Sequence, residues 1–479
     1  MCGIFGIDGY DEASYYTYLG LYALQHRGQE SAGMVSYDGQ QMWLERGMGY
    51  VADLFKRPVL RALQGTRAIG HTRYSTAGSS ALANAQPIVV RTAMGPLALV
   101  HNGNLVGAPA MRAALEAEGA IFQTTSDTEI ILHLMARNPR EDVVESLAEA
   151  LGQVRGAYSL LLLTPRGVIA ARDPHGFRPL VMGRRAGHPC FASESCALEL
   201  LDAVIERELA PGEIVACRPD GTIESRHLPQ SAPHRRCAFE HVYFARPDSQ
   251  VFGASVSRAR GAMGERLAEE CPPPPAASSS GDAPAIVVPV PDSGLVPALG
   301  YSRASGLPIE LGLIRNHYVG RTFIQPQQAI RDFGVRVKLS PDRDRIAGRR
   351  VVLIDDSIVR GTTSRKIVHM VRDAGALEVH LRISSPPTQW PCHYGIDTPR
   401  REELIAAKSA SLEEIRQHVE ADSLGYLSLE GLLDCLDGDR AHYCTACWTG
   451  NYPVQQPSEP EQQQLFPIRT AAEHGDDVR

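Results

Sequence analysis

An apolar run that ends directly in two aspartates is the feature of this 479-residue chain that most restricts its fold. Val351–Ile354 read as a β-strand buried on both faces, and Asp355 and Asp356 follow at once. A glycine turn and a helical stretch, TSRKIVHMVRDAGA, come next. Two carboxylates at the end of a buried strand are costly unless a ligand or a metal ion meets them. The run therefore predicts a parallel sheet with a ligand site at the carboxyl ends of its strands.

The two halves of the chain have different strand and helix patterns. In the second half, aliphatic strands in AIVVPVPDSG, PIELGLIRN and EVHLRISS alternate with helical stretches such as LVPALGYSRASG, which predicts a doubly wound α/β domain. In the first half, many short strand-like runs surround only two helical segments, SYYTYLGLYALQHRG and PAMRAALEAEGAIF. This pattern predicts an α+β domain of layered antiparallel sheets with helices.

Composition sets the outer limits of the interpretation. Lys plus Arg is 48 and Asp plus Glu is 55, a net charge of −7, which argues against a nucleic-acid scaffold. We find no apolar run of membrane-spanning length and no basic leader before the acidic start, so we expect no membrane span and no signal peptide. Ten cysteines are too sparse for a disulfide scaffold. We therefore expect a cytoplasmic enzyme whose cysteines are thiols, nucleophiles or metal ligands.

Two composition breaks divide the chain. The segment CPPPPAASSSGDAPA (271–285) favours an extended conformation, either an interdomain linker or, as we expect, a surface insertion without catalytic consequence. The stretch after Val454 is polar and rich in Gln and Pro. We predict a first domain over residues 2–232, a second over 233–454 and a mobile tail over 455–479.

The residues after the two aspartates have the composition of a phosphate site. Small residues with free backbone N–H groups before a helix form a nest for anions. Here they are Ser357, Arg360, Gly361, Thr362 and Thr363. A second strand end, VVPVPDSG, brings Asp292 and Ser293 to the same edge of the sheet. The alternative is a capped surface loop with the aspartates as turn residues.

This run resembles the phosphoribosyl-pyrophosphate motif of the type I phosphoribosyltransferases. The resemblance implies that Asp355 and Asp356 hold the ribose hydroxyls, partly through Mg²⁺, and that the loop 357–363 wraps the 5′-phosphate. It further implies that the loop of Asp292 and Ser293 binds pyrophosphate, with Ser293 contacting Mg²⁺.

Between these two loops lies a basic stretch that suggests a lid. Its cations are Arg315, Arg321, Arg331, Arg336 and Lys338. A solvated basic face is the alternative, but the position between two phosphate-type loops favours a lid that closes over pyrophosphate. We expect Arg321 and Lys338 to contact the substrate.

The second residue of the chain is a candidate nucleophile. Removal of Met1 would give Cys2 a free α-amine, whose ordinary pKa of about 7.7–8.0 suits a general base for its own thiol. A cysteine at this position means little alone, but the glycine-rich polar motifs LQHRGQESAG, HTRYSTAG and HNGNLVG follow it.

These motifs resemble the class II glutamine amidotransferases, whose glutaminase domain is an N-terminal nucleophile hydrolase. The resemblance implies that Cys2 attacks the glutamine amide and that Arg73 grips the substrate carboxylate. Asn102 and Gly103 would form the oxyanion hole, and Asp127 would bind the amino group. A surface ion pair is the alternative for Arg73, and a helix N-cap is the alternative for Asp127.

Both halves in one chain resemble the purine-synthesis branch of these amidotransferases. This implies that glutamine nitrogen passes as ammonia, through the interior, to phosphoribosyl pyrophosphate and gives 5-phosphoribosylamine. Tyr243 and Arg246 in EHVYFARPDS would lie at the junction that couples the sites. Purine nucleotide inhibitors and a homotetramer are also implied. Other class II amidotransferases lack DDSIVRGTTS, and a regulator that only binds ligand has no need of Cys2, Arg73 and HNGN.

Four cysteines form a candidate metal centre. Cys444 and Cys447 form a CxxC pair, which alone leaves zinc, a redox pair and iron–sulfur open. With Cys237 and Cys392 they match the ligand positions of a Bacillus-type branch of the same family, which implies a 4Fe-4S cluster, with zinc as the alternative. The remaining five cysteines have no such context.

Overall fold

Two antiparallel sheets form the first half of the protein. The computed structural model describes residues 1–74, 80–275, 283–316 and 338–456. The strands of this half are β1 (Gly3–Ile7), β2 (Ser31–Tyr37), β3 (Met42–Met48), β4 (Arg67–Arg73), β5 (Ile88–Thr92), β6 (Gly95–Leu105), β7 (Gly156–Thr164), β8 (Gly167–Arg172), β9 (Val181–Arg185), β10 (His188–Ala192), β11 (Val204–Glu208), β12 (Glu213–Cys217) and β13 (Ile223–His227). One sheet has the order β11-β9-β10-β1-β4-β2-β3 and the other β13-β12-β8-β7-β6-β5.

Helices cover the outer faces of both sheets. They are α1 (Ala13–Ala23), α2 (Val51–Leu54), α3 (Arg57–Ala62), α4 (Ala108–Ala117), α5 (Thr128–Arg137), α6 (Val143–Leu151) and α7 (Ser195–Glu199), with 3-10 turns at Gln25–Arg27 and Leu82–Asn84. Alternation along the strands explains the layers. On β1, Ile4 faces the core between the sheets, whereas Phe5 and Ile7 face the core beneath α1. The α+β prediction of layered antiparallel sheets is confirmed.

A parallel sheet forms the centre of the second half. The strands are β14 (Arg236–Cys237), β15 (Gln250–Val251), β16 (Ala254–Ser255), β17 (Ala285–Pro289), β18 (Leu313–Arg315), β19 (Leu339–Pro341), β20 (Arg350–Asp355), β21 (Glu378–Ile383), β22 (Ser423–Tyr426) and β23 (Tyr443–Cys444). The order β17-β20-β21-β22 is parallel throughout.

Helices cover both faces of this parallel sheet. They are α8 (Val256–Glu270), α9 (Leu295–Ser305), α10 (Arg343–Ile346), α11 (Thr362–Asp373), α12 (Ile405–Lys408), α13 (Leu412–Val419), α14 (Leu429–Asp434) and α15 (Ala446–Thr449). A π-helical turn at Glu240–Phe244 and 3-10 turns at Arg401–Glu403 and Arg440–His442 complete the described elements. On β20, Val352 packs toward α8 and α9, and Val351 packs toward α11 and α13. The doubly wound α/β prediction is confirmed.

One predicted strand lies mostly outside the sheet. Of PIELGLIRN, only Ile309 bridges to Val287, while Leu313–Arg315 pairs antiparallel with Leu339–Pro341. The turn at Gly312, whose N–H donates to Glu310, redirects the chain between these two pairings.

The proline segment is fastened to the sheet where the structure describes it. Arg382 of β21 donates to the carbonyl oxygens of Cys271 and Pro272 at 3.1 and 3.2 Å, and Arg350 of β20 donates to Pro274. The segment starts as a strap over the sheet, which the composition did not predict. Residues 276–282 and the tail from residue 457 lie outside the described residues, and the domain boundaries stay predictions. None of the described helices is long and apolar enough to cross a bilayer.

Candidate active sites

Cys2 lies buried at the start of β1, between the two sheets of the first half. Its backbone nitrogen donates to Asn102 Oδ1 at 3.3 Å, and its carbonyl accepts from Arg27 Nε at 2.9 Å. Its Sγ lies 3.7 Å from the carbonyl oxygen of Tyr74. The Met1 side chain is also buried, and its sulfur contacts the guanidinium groups of Arg27 and Arg178. Burial lowers the pKa of the Met1 amine to about 6, which shows how this pocket disfavours a protonated amine.

The predicted oxyanion residues lie on β6, next to Cys2. Asn102 is fully buried, and its Nδ2 group has no hydrogen-bond partner within the described chain. Gly103 approaches the neighbouring strand so closely that a Cβ would lie 2.0 Å from the Ala157 carbonyl oxygen. An unused buried donor costs free energy, and it is the arrangement that a developing oxyanion would satisfy.

Arg73 and Asp127 are the predicted glutamine-binding residues. Arg73 ends β4, is buried, and its guanidinium pairs with Glu30. Asp127 occupies the N-cap position of α5 but makes no side-chain cap hydrogen bond. Its Oδ2 instead accepts from the Leu105 backbone nitrogen at 2.7 Å. The Asp127 carboxylate is thus anchored to β6 two residues beyond Gly103. The helix N-cap alternative is correct for the position of Asp127 but does not account for this hydrogen bond.

The two aspartates of β20 lie at the carboxyl end of the parallel sheet, as predicted for a ligand site. Asp355 and Asp356 are both buried, and the Ser293 side chain hydrogen-bonds to Asp355. Burial and the adjacent Asp356 carboxylate raise the pKa of Asp355 well above its usual range. The structure therefore brings together both strand ends that the sequence singled out.

The loop after the aspartates leads into α11. Ser357 Oγ donates to Asp356 Oδ2 at 2.5 Å. Gly361 has a φ of 78°, in the left-handed region, and a Cβ there would lie 2.7 Å from Ile405. Thr362 and Thr363 are exposed in the first turn of α11, where backbone N–H groups are free for an anion.

The basic stretch is described only at its two ends. Arg360, in the aspartate loop, pairs with Glu403 at 2.9 Å, and Arg315 pairs with Asp292 of the other loop. The Lys338 carbonyl accepts from the Asn316 backbone nitrogen at 2.8 Å, which closes the two ends of the stretch. Arg321 lies outside the described residues, as do Arg331 and Arg336.

A cavity of about 710 Å³ lies at the edge of the parallel sheet and extends to Arg27 and Tyr74, which contact Cys2. From the first half it is lined by His26, Arg27 and Tyr74, and from the sheet edge by Ser293, Asp355, Asp356 and the residues of the loop from Ser357 to Ser364 except Ile358. The cavity is also lined by four residues of the junction segment: Phe239, Tyr243, Phe244 and Arg246. Cys392 and Cys447 also reach this cavity.

The four predicted cluster cysteines lie near one another. Short strands β14 and β23 pair in parallel and place Cys237 opposite Cys444. Burial raises the pKa of the Cys447 thiol well above its usual range, and the neighbouring Cys237, Cys392 and Cys444 add to the shift. Within the described ranges, however, no three His, Cys, Asp or Glu side chains are arranged to hold a single metal ion.

Several residues of these sites were not singled out from sequence. Glu30 pairs with Arg73, Arg27 holds the Cys2 carbonyl, and Arg27 is itself paired with buried Glu194 and Glu240. Arg27 lies in the LQHRGQESAG motif, which indicated that this segment belongs to the site but did not predict the role of Arg27. Glu194 and Glu240 carry no local pattern, since their partner lies 167 and 213 residues away in the chain.

Comparison with known proteins assigns the family. The model of a glutamine amidotransferase domain matches residues 71–200. The amidophosphoribosyltransferase of Rhizobium etli is 48% identical, with 95% of this chain and 92% of the relative covered. The Bacillus subtilis enzyme is 47% identical, with 95% and 94% covered.

A solved structure agrees in fold over almost the whole chain. It is glutamine phosphoribosylpyrophosphate amidotransferase from B. subtilis in complex with ADP and GMP, with a TM-score of 0.88 and 45% identity, and 96% of this chain and 98% of that chain are covered. Identity of this extent over nearly full length is enough to assign the family. The chain belongs to the amidophosphoribosyltransferase family.

Proposed function

We propose that the chain performs its family's reaction at two sites connected by the internal cavity. The chain transfers the amide nitrogen of glutamine to phosphoribosyl pyrophosphate and yields 5-phosphoribosylamine, glutamate and pyrophosphate, the first committed step of purine synthesis. The observation that carries the two-site assignment is the cavity of about 710 Å³, which is lined both by Asp355 and by Tyr74 and Arg27, two residues that contact Cys2. Ammonia released at Cys2 would be protonated in bulk water, so the reaction requires a path that shields it from solvent.

At the first site, Cys2 is the nucleophile once residue 1 is removed. Its α-amine takes the thiol proton, and the thiolate attacks the side-chain amide carbon of glutamine. The Asn102 side-chain amide and the Gly103 backbone N–H donate to the oxygen that becomes negative. The ammonium of Cys2 then returns a proton to the leaving nitrogen, and water hydrolyses the γ-glutamyl thioester. Arg73 and Asp127 hold the substrate's carboxylate and amino group.

At the second site, the sheet edge binds phosphoribosyl pyrophosphate. Asp355, Asp356 and Ser293 offer oxygen donors, the ligand type that Mg²⁺ prefers, so these residues fit the ion that the family resemblance implies. A bound Mg²⁺ supplies charge neutralisation at the pyrophosphate leaving group. The loop 357–363 and the start of α11 hold the 5′-phosphate, and ammonia displaces pyrophosphate at C1. We also assign Arg321 and Lys338 to pyrophosphate binding.

We propose that Cys237, Cys392, Cys444 and Cys447 hold a 4Fe-4S cluster, as the family resemblance implies, with zinc as the alternative. The four thiols are near enough that Cys237, Cys392 and Cys444 raise the pKa of Cys447, which supports a shared site. Such a cluster would join the junction strand, the segment of Cys392 and the C-terminal strand.

Regulation and assembly follow the family. The B. subtilis relative was solved with ADP and GMP bound, which supports purine nucleotide binding by this chain, and inhibition by such nucleotides is proposed on the family resemblance. A homotetramer is proposed on the resemblance alone. Neither assignment enters the two-site mechanism, which rests on the residues of one chain.

The two-site assignment is tested by separating the two nitrogen sources. Cys2→Ala removes the nucleophile, so glutamine-dependent release of pyrophosphate should vanish, whereas ammonia-dependent release at raised pH should persist. Cys217→Ala, which removes a buried thiol in the same half, is the matched control and should keep both activities. Loss of both activities in Cys2→Ala, with the control active, would contradict the assignment.

A further inference from the structure

A buried network of four charged side chains lies under the nucleophile. Arg27, Arg178, Glu194 and Glu240 are all fully buried, and their formal charges cancel. Burying charges costs several kcal/mol per ion, and apolar side chains of similar volume are often more stabilising. Stability alone therefore gives a weak reason for such a network, and its connections point to a positioning role.

Glu240 is the member that both arginines share. Its carboxylate accepts from Arg27 Nη2 at 2.9 Å and Nη1 at 3.1 Å, and from Arg178 Nη1 at 3.3 Å. Glu240 begins the π-helical turn whose residues Tyr243 and Phe244 line the cavity. The carboxylate thus belongs to the junction segment, while both arginines belong to the glutaminase half.

From Glu240 the bonds lead in two directions. Toward the first site, Arg27 Nε donates to the Cys2 carbonyl at 2.9 Å. Toward the cysteine centre, Arg178 Nε donates to the Tyr394 carbonyl at 2.8 Å, and Arg178 Nη2 lies 3.9 Å from Cys392 Sγ. A continuous series of contacts therefore runs from Cys392 through Arg178, Glu240 and Arg27 to Cys2.

Glu194 completes the network from the cavity side. It accepts from His26 Nε2 at 2.8 Å, from the Arg246 backbone nitrogen at 2.9 Å and from Ser249 Oγ at 2.7 Å. Burial opposes its ionisation, but His26 and Arg27 hold the pKa of Glu194 well below its usual range. Arg27 is thereby held by two carboxylates. Of these two, Glu240 is the one that also pairs with Arg178, which contacts Cys392.

We propose that Glu240 is a positioning residue that fixes the backbone of Cys2 through Arg27 and connects it, through Arg178, to the Cys392 segment. The proposal rests on the assignment of Cys2 as the glutaminase nucleophile. Displacement of a reacting group by about 1 Å lowers rates by up to ~100-fold, so a loosened Arg27 lowers the rate of thiolate attack while glutamine binding at Arg73 and Asp127 is retained.

The test replaces Glu240 with its neutral isostere. Glu240→Gln should lower kcat for glutamine hydrolysis about tenfold or more, leave KM for glutamine within about twofold, and keep ammonia-dependent synthesis. Alkylation of Cys2 by iodoacetamide, followed by mass spectrometry of the N-terminal peptide, should slow in the same variant. Glu240→Asp keeps the charge and should restore part of both signals.

Glu213→Gln is the matched control. Glu213 is a buried carboxylate of the glutaminase half that accepts two hydrogen bonds from Arg207 at 2.7 Å. An equal loss of glutaminase activity in Glu213→Gln, or a parallel loss of both activities in Glu240→Gln, would overturn the proposal. So would an unchanged kcat and alkylation rate in Glu240→Gln.

A charge-balanced variant covers the case in which Glu240→Gln does not fold. Glu240→Gln with Arg178→Gln removes one charge of each sign and should still show the kcat loss at unchanged KM; normal kcat in this double variant contradicts the positioning role. Cys2→Ala in parallel separates the two hypotheses, since its failure to abolish glutamine-dependent synthesis would refute the nucleophile and not the network.

Discussion

Asn102 accepts a hydrogen bond from the Cys2 backbone nitrogen through Oδ1 at 3.3 Å, while its Nδ2 group stays buried without a partner in the described chain. One side-chain amide thus holds the nucleophile and offers a donor to the reaction. The arrangement is preorganised because the acceptor oxygen fixes the orientation of the amide.

Replacement of that donor should affect only the first site. Asn102→Asp keeps the size and the accepting oxygen but removes the N–H donor, and we expect kcat for glutamine hydrolysis to fall about 10²–10³-fold. Glutamate release measures this loss. Ammonia-dependent synthesis in the same preparation is the internal control, and a comparable drop there would mean that the substitution disturbs the whole fold.

Arg73→Lys should change substrate binding more than chemistry. A lysine keeps the charge but cannot make two parallel bonds to a carboxylate, so KM for glutamine should rise about tenfold with kcat nearly unchanged. Arg67→Lys, on the same strand and paired with Asp8 at 3.1 Å, is the control. A normal KM in Arg73→Lys would show that the pair with Glu30 is the whole role of Arg73.

Asp355→Asn and Asp356→Asn should each abolish synthesis from either nitrogen source, by ~100-fold or more, because the oxygen donors for Mg²⁺ and ribose are lost. Glutamine hydrolysis should survive in part. Pyrophosphate release across a Mg²⁺ titration measures the effect. The exposed Asp344→Asn on α10 serves as the control, and undiminished synthesis in both loop variants would rule out a role for these carboxylates.

The metal centre has a direct spectroscopic test. Purified protein should be brown with broad visible absorbance that disappears on exposure to oxygen, and Cys444→Ser should be colourless. Cys435→Ser, which alters a cysteine without a predicted role, should remain brown. A colourless wild type with one bound zinc by metal analysis would establish the alternative.

Acid should destabilise the fold through His241. Burial lowers the pKa of His241 to about 4, and neither ring nitrogen has a partner among the described residues. Above pH 6.5 both folded and unfolded chains carry a neutral imidazole, and the contribution of His241 to the free energy of unfolding is then complete. As the pH falls toward 4 the unfolded chain gains a proton first, so stability decreases.

His241→Phe removes this titration. The ring lies between Phe252 and Tyr443, so an apolar ring suits the site. The thermal midpoint of this variant should fall less than that of the wild type between pH 6.5 and 4. An equal fall in both proteins would assign the acid sensitivity to other groups, such as buried His71, whose pKa burial lowers to about 3.

Strand ends were predictable because their signal is local. Val351–Ile354 followed by two aspartates indicated both a buried strand and a ligand site, and the sheet edge is where Ser293 meets Asp355. PIELGLIRN was assigned to the same sheet because its apolar residues resemble a strand, but its pairing with Leu339–Pro341 depends on residues far along the chain.

Charge pairing between distant segments was beyond the sequence. The motif that contains Arg27 was recognisable in the sequence. The residues around Glu240, however, give no indication that its carboxylate pairs with an arginine of the first half. The proline segment illustrates the same limit. Arg350 and Arg382, which donate hydrogen bonds to it, lie in strands that the sequence identifies by their apolar residues alone.

Residues 103–104 of β6, next to the predicted oxyanion hole, make contacts with a segment that is synthesised much later. Asn104 Nδ2 donates to the His393 carbonyl at 3.2 Å, across 289 residues of sequence, and a Cβ on Gly395 would lie 3.0 Å from Gly103 Cα. At ~5–20 residues per second, a ribosome needs roughly 15–60 s to synthesise the chain from Asn104 to His393. A nascent first half therefore lacks the contacts that His393 and Gly395 make with residues 103–104 of β6 until the second half has been synthesised.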